Sequence, residues 1–322
     1  MRTGAARGHV GHFHEAGFYG SDAEFLELIV PFVEEGLAAG EAVVIGYDTR
    51  KADLLRSQLA DPSSVEFIGD GNLYATPARA IATYRRLFEF HVAMGVGQIR
   101  IAGDVPHSGN GGRFEGWDRY ECAVNTVWQE FPVWGRCLYD VTTAPTEVLD
   151  IVERTHPRLV SPSGWCRASA RFQEAPVFEG LPSAPDPVEA CPPTAELTNP
   201  AASHVRHVVA QAGSSRVGDS ILQNLILGVS EAVSNARKHG KPPVTVRIWA
   251  LPDRIVVSVH DRGCGPADPL AGLVPAVADP LLPGWGLWLM HQLDIDTTLI
   301  RSGEGFTVRL RAPTPEPPAT SA

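Results

Sequence analysis

Hydrophobic and polar positions alternate at two periods along this chain, and the order of the changes divides it in two. Phe25, Leu28, Ile29, Phe32, Val33 and Leu37 recur at three- and four-residue intervals, so they share one face of a helix over residues 22–39. Ser21 stands where an N-cap is needed, and Gly40 follows the last apolar position. The run Ala42-Val-Val-Ile-Gly-Tyr47 then predicts a strand buried on both faces. The same change of period repeats downstream. Strands are predicted at 65–68, 98–102 and 133–141, and helices at 77–94, 117–131 and 145–153. Strands regularly separated by helices imply an α/β domain with a largely parallel sheet.

The pattern lapses in a proline-rich stretch, and residues 176–198 read as an extended linker. Beyond it the order of elements differs. Helices are predicted at 204–212 and 219–239, then adjacent strands at 244–250 and 254–260. A helix at 285–292 and strands at 295–302 and 306–311 follow, the last two joined around Gly303 and Gly305. Helices followed by paired antiparallel strands predict an α/β sandwich with helices on one sheet face. The expected domains are therefore 9–175 and 199–312, with 313–322 a frayed proline-rich tail.

Composition narrows the setting. A length of 322 residues suits two domains, and a net charge of -10 argues against a general nucleic-acid binder, which would carry a basic stripe. There is no run of 18 apolar residues, so no membrane span is expected. The first residues carry no apolar segment behind their basic positions, so no secretory signal is expected. Cys122, Cys137, Cys166, Cys191 and Cys264 are widely spaced, without a Cys-x-x-Cys pair. Reduced thiols in a cytoplasmic protein are the expectation.

Three segments of the second domain carry chemistry. Glu231 and Asn235 lie four residues apart on a predicted helix and so project from one face. Asp261-Arg-Gly263-Cys-Gly265 follows the strand-like run Ile255-Val-Val-Ser-Val259, and Gly284-Trp-Gly286-Leu287 opens the next helix. A carboxamide oxygen such as that of Asn235 suits Mg²⁺ without adding charge beside phosphates. Glu231 can orient or deprotonate a nucleophile. Asp261 can accept a hydrogen bond from an exocyclic amine such as that of adenine. Gly263 and Gly265 let backbone approach a base closely, and Gly284 and Gly286, with Leu287 beside them, offer N–H groups to phosphate at a helix start. Singly, each motif is most often a solvated helix face or a plain turn. All three, in this order and on these elements, form the layout of a site for a nucleotide and a divalent metal.

These segments resemble the asparagine box and the two glycine boxes of the GHKL, or Bergerat, ATP-binding superfamily, which includes gyrase, MutL and the histidine kinases. Ser230-Glu-Ala-Val-Ser-Asn-Ala-Arg-Lys-His-Gly240 and Gly286-Leu-Trp-Leu-Met-His-Gln-Leu293 look most like the anti-sigma-factor serine kinases. The resemblance covers about residues 200–312. It implies ATP and Mg²⁺ as cofactors, with Asn235 at the metal, Glu231 as base, Asp261 on adenine, and Gly263, Gly265, Gly284, Gly286 and Leu287 around the pocket. It further implies a sigma factor and a STAS-type antagonist as partners, and a homodimer, since related kinases often pair. The segment 266–283, where the phosphate lid belongs, contains no Lys or Arg. Arg237, Lys238 and Arg262 are the neighbouring cations in sequence. A non-catalytic interaction scaffold is the alternative that this lid suggests. An atypical histidine kinase ranks lower: His14-Glu15 is the only His-Glu pair, and it lies far from the ATP domain.

In the first domain, His12-Phe-His14-Glu-Ala-Gly-Phe-Tyr19, Pro31-Phe-Val-Glu-Glu-Gly36 and Gly40-Glu-Ala-Val-Val44 resemble the MEDS sensory domain, as do Tyr120-Glu-Cys122-Ala-Val-Asn125 and Cys137-Leu-Tyr139-Asp140. That resemblance covers about residues 9–175 and implies a RecA-like core and a small-molecule signal. No Gly-x-x-x-x-Gly-Lys-Ser/Thr occurs, so no P-loop is expected. His14, placed just ahead of the first helix, and Cys137, Tyr139 and Asp140, placed at a strand end, are the candidates for a sensing site. Ligands of parallel sheets bind beyond strand C-termini. The plainer reading makes Cys137 a small buried hydrophobe and His14 a core or capping residue.

Overall fold

The computed structural model describes residues 2–69, 74, 76–114, 116–173, 185–252, 254–268, 270–275 and 285–313. The chain divides into two compact units, Met1–Phe178 and Glu179–Ala322.

The first unit runs β1 (Phe13–Tyr19), α1 (Asp22–Ala38), β2 (Ala42–Gly46), α2 (Thr49–Arg56), β3 (Glu66–Phe67), α3 (Pro77–Ala93), β4 (Ile99–Gly103), α4 (Trp117–Val127), β5 (Val133–Asp140), α5 (Thr146–Thr155), β6 (Arg158–Val160) and β7 (Cys166–Ala168). Its sheet has the order β3-β2-β4-β5-β1-β6-β7, parallel except for the β6–β7 pair. The expected parallel α/β architecture is present. The interior strand β1 was not expected: His14, ahead of the first helix as read, lies within this strand. Its buried polar residues His14 and Glu15, just behind the buried His12, interrupt the apolar run that marks a buried strand.

Those polar residues are tolerated because the pleat sends them to different partners. Glu15 faces the α1 side, where its Oε1 accepts from Arg136 Nε at 2.7 Å and Trp134 Nε1 at 2.8 Å. Arg136 donates onward to the carbonyl of Leu28 in α1. A second buried ion pair lies under the same helix. Arg100 Nε meets Glu41 Oε2 at 2.6 Å, its Nη1 donates to the Phe32 carbonyl, and its guanidinium lies 4.5 Å from the Trp134 ring centroid. Gly36 makes room for it: a β-carbon there would stand 2.8 Å from Arg100 Cδ.

The second unit runs β8 (Ala195–Thr198), α6 (Ala202–Gly213), α7 (Asp219–His239), β9 (Thr245–Ala250), β10 (Arg254–Asp261), α8 (Gly286–Gln292), β11 (Asp296–Ser302) and β12 (Gly305–Pro313). The sheet is antiparallel throughout, in the order β11-β12-β10-β9-β8. One sheet face packs against α6, α7 and α8 through Val209, Leu225, Val229, Val233, Ile248, Val257 and Leu310, as the sandwich reading requires.

The expected linker differs from the structure over residues 185–198. β8 pairs with β9, and Pro187–Ala190 forms a 3-10 turn whose Val188 packs on Trp249 and Val256. Trp249 Nε1 donates to the Cys191 carbonyl at 2.9 Å, and Arg254 pairs with Asp186 at 3.2 Å. Proline suppressed the pattern in the sequence, but Val188, Ala195 and Leu197 still pack on the sheet. Residues 174–184 and 314–322, the rest of the expected linker and tail, lie outside the described residues.

Candidate functional site

Helix α7 builds the centre of the nucleotide-type site. Leu222, Leu225, Val229, Ala232, Val233 and Ala236 bury one stripe of it, and Glu231 and Asn235 sit half-buried on the flank of that stripe. The first turn of α8 closes against them. A β-carbon on Gly286 would stand 2.8 Å from Glu231 Oε2 and 3.1 Å from Asn235 Nδ2, so a larger residue there would press on the ends of both side chains. Gly284 lies outside the described residues. Leu287, expected at the pocket, is partly buried against the domain core.

Asp261 ends β10 and is buried. Its Oδ1 accepts from Lys241 N at 3.0 Å and Gly263 N at 2.6 Å. These two bonds fix the carboxylate at the end of α7 and, among the described residues, leave Oδ2 for an amine edge. The surrounding glycines are steric necessities. A β-carbon on Gly240 would meet Asp261 Cγ at 2.3 Å, and one on Gly265, whose φ is +70°, would meet the Phe306 ring at 2.4 Å. Gly265→Ala therefore combines a left-handed backbone with a clash against a core ring. It is expected to cost the second unit at least about 2 kcal/mol in urea unfolding.

The structure thus brings Glu231, Asn235 and Gly286 together, with Asp261, Gly263 and Gly265 as a second group beyond the C-terminus of α7. Arg237 donates to the Pro200 carbonyl at 3.0 Å, which draws its head toward α6. Arg301, missed in the sequence, reaches the carbonyl of Pro266 at the start of the lid segment. It lies on the strand after α8, some distance in sequence from every box.

The residues fit a nucleotide with its metal: a half-buried carboxamide and carboxylate share one helix flank under a glycine-opened helix start, and a fixed buried aspartate stands beyond. Asn235 would hold the metal, and Asp261 the base edge.

In the first unit, the four expected sensing residues separate. His14, Cys137 and Tyr139 converge on one face of the sheet, joined by Glu121 from α4 and His156 at the end of α5. Asp140 stands apart. Its Oδ1 accepts from Thr142 N and Oγ1 at the strand end, where Lys51 and Asp104 form a close ion pair. Burial raises the Asp104 carboxyl to about 6 despite that lysine. Burial likewise lifts Glu121 to about 7, against the Tyr139 hydroxyl that donates to it at 2.7 Å, and lowers His14 to about 4. Glu121 had a signal in sequence: it sits on the apolar face of α4 with Trp117, Tyr120 and Val124.

Residues 13–157 match the model of the MEDS family, described as a methanogen/methylotroph, DcmR sensory domain, and residues 194–312 match that of the histidine kinase-like ATPase domain. No curated protein was found to match the chain. Among solved structures, the Erythrobacter litoralis EL346 blue-light activated histidine kinase is 18% identical with a TM-score of 0.24, over 35% of this chain and 42% of that one. The histidine kinase domain of the E. coli osmosensor EnvZ is 18% identical with a TM-score of 0.24, over 40% of this chain and 94% of that one. Likenesses of that size are slight, and the two-domain assignment stands on the family matches.

Proposed function

We propose that this chain, which joins a MEDS sensory domain to a histidine-kinase-like ATPase domain, is a cytoplasmic regulator of the anti-sigma type. In this reading the ATPase domain binds Mg-ATP and a sigma factor. It transfers the γ-phosphoryl group to a serine or threonine of a STAS-type antagonist, with Glu231 taking the hydroxyl proton. The antagonist then loses affinity and the regulator holds its sigma factor. The observation that carries the reading is the packing of Glu231 and Asn235 under Gly286, with Asp261 fixed beyond them. The bound nucleotide supplies the phosphoryl group and Mg²⁺ screens its charge. The protein's own part is to position both and to hold a base one helical turn from the metal ligand.

A sensory domain can bias such a switch only through a signal that binds its two states unequally. The test is pulldown of sigma factors from a lysate with and without ATP, followed by transfer of labelled γ-phosphate to the captured antagonist. Glu231→Gln should retain binding and lose transfer by at least about a hundredfold. Failure to capture any sigma factor under either condition would remove the anti-sigma reading.

One observation favours a second reading, the non-catalytic scaffold: the lid segment 266–283 has no basic residue to steady transferred charge. Partner binding that is indifferent to Glu231→Gln and to nucleotide would select it.

A further inference from the structure

The polar cluster of the sensory domain has the composition and spacing of a metal site. His14 on β1, Glu121 on α4, Cys137 on β5 and His156 at the C-terminus of α5 each offer one ligand atom, and the four atoms lie within 4.8 Å of one another. His14 Nε2 is 3.5 Å from Cys137 Sγ and 3.7 Å from Glu121 Oε2, and His156 Nε2 is 3.5 Å from the same oxygen. His14, Glu121 and His156 are almost wholly buried.

The hydrogen bonds around the cluster fix both imidazole tautomers. Asn125 Nδ2 donates to the carbonyls of Glu121 at 3.1 Å and Thr155 at 2.7 Å, which turns Asn125 Oδ1 toward His14. That oxygen therefore accepts from His14 Nδ1 at 3.0 Å. His156 Nδ1 donates to the Val152 carbonyl at 2.9 Å. Each ring has spent its proton on the δ nitrogen, so each ε nitrogen turns a lone pair inward. Glu121 has given its Oε1 to Tyr139, and neither its Oε2 nor His156 Nε2 has a hydrogen-bond partner among the described residues.

Glu121 Oε2 and His156 Nε2 thus face one another with no donor among the described residues, and His14 Nε2 beside them has only the weak Cys137 thiol at 3.5 Å, which is unfavourable in a buried site unless something positive lies between them. A proton on Glu121 is a poor solution, because O–H···N bonds close to about 2.7 Å, well short of the 3.5 and 3.7 Å found here. A tetrahedron with metal–ligand bonds of about 2.0–2.3 Å has edges of about 3.3–3.7 Å; the three separations of 3.5, 3.7 and 3.5 Å fall in that range, and the remaining pairs lie within 4.8 Å. The outer hydrogen bonds from Asn125 and the Val152 carbonyl are the kind that orient metal-bound imidazoles.

We propose that the sensory domain binds one divalent transition ion of the zinc class through His14, Glu121, Cys137 and His156. The two imidazoles bind neutral, Glu121 binds as carboxylate, and Cys137 releases its S–H proton to solvent and binds as thiolate. The +2 ion and two anionic ligands leave no net charge in the interior. Beside the site, a cavity of about 20 Å³ touches His14, Glu121 and Cys137 and is walled by Tyr84, Tyr120 and Trp128. It is large enough for one water-sized molecule to approach the ion.

The test uses the full chain, stripped with a chelator and titrated with Co²⁺ under reducing conditions. The expected result is one Co²⁺ per chain, with tetrahedral visible bands and a near-ultraviolet thiolate charge-transfer band. Cys137→Ser should remove the charge-transfer band, while Cys191→Ser and Cys264→Ser, at exposed thiols, should leave it intact. Asn125→Ala keeps all four ligands and should weaken binding about 10- to 100-fold. A folded wild-type chain that takes up no Co²⁺ overturns the proposal whatever the variants do. So does a charge-transfer band that survives Cys137→Ser.

Discussion

Asn235→Ala is expected to weaken Mg-dependent ATP binding by at least about a hundredfold, roughly 2.7 kcal/mol, while leaving the fold intact. The side chain is half-buried on α7, and its truncation removes no packed apolar group from the core stripe beside it. What is lost is the carboxamide held against Gly286, a neutral oxygen donor placed on the same helix flank as Glu231. Calorimetry with ATP and Mg²⁺ reads the loss, and circular dichroism checks the fold. Asn235→Asp sharpens the experiment. An added negative charge still suits a hard cation but opposes the phosphates. It should therefore bind Mg²⁺ yet hold ATP less well than the wild type. Equal ATP affinity in wild type and Asn235→Ala would take the metal away from this residue.

The second large effect is on stability. Arg100→Leu should destabilise the sensory domain by about 3–5 kcal/mol, because Glu41 is then left as a buried charge without its partner. Arg100 has no exposed side-chain surface, and Glu41 Oε1 is further bonded by Gln98 and Thr3. Those two neutral donors cannot replace a guanidinium at 2.6 Å. Adding Glu41→Leu to Arg100→Leu removes the stranded charge and should recover part of the loss. Urea unfolding of the wild type and these two variants measures this. A single variant as stable as wild type would mean that water reaches the pair.

The two halves of the molecule were not equally legible. The ATP-type site could be read because its parts are contiguous runs, each on one element: Glu231 and Asn235 on a helix, Asp261 to Gly265 at a strand end. Tertiary structure had only to bring three runs together. The sensory cluster is built from single residues at positions 14, 121, 137 and 156, each embedded in apolar sequence, and no local pattern links them. β1 was hidden for the same reason. Central strands are recognised by unbroken hydrophobicity, and this one spends two buried positions on His14 and Glu15, with the buried His12 just ahead of it. Helix α2 escaped because Arg50, Lys51 and Arg56 outweigh its few apolar residues, and Lys51 is buried only by virtue of Asp104. Asp140 was grouped with Cys137 by sequence proximity, whereas the end of the strand carries it off to its own turn.

The pleat of β1 has one more consequence. His14 and Glu15 are neighbours on one strand but look into opposite halves of the domain, one toward α4 and α5, the other through Arg136 toward Leu28 in α1. Their Cα atoms are tied about 3.8 Å apart by a planar peptide, so a translation of the backbone at one carries the other with it. A shift of the β1 backbone that carries His14 toward Glu121 would therefore also move, on the other side, the Glu15–Arg136 contacts that reach α1. Amide exchange in α1, on the far side of the sheet from the cluster, is where such a shift would be felt.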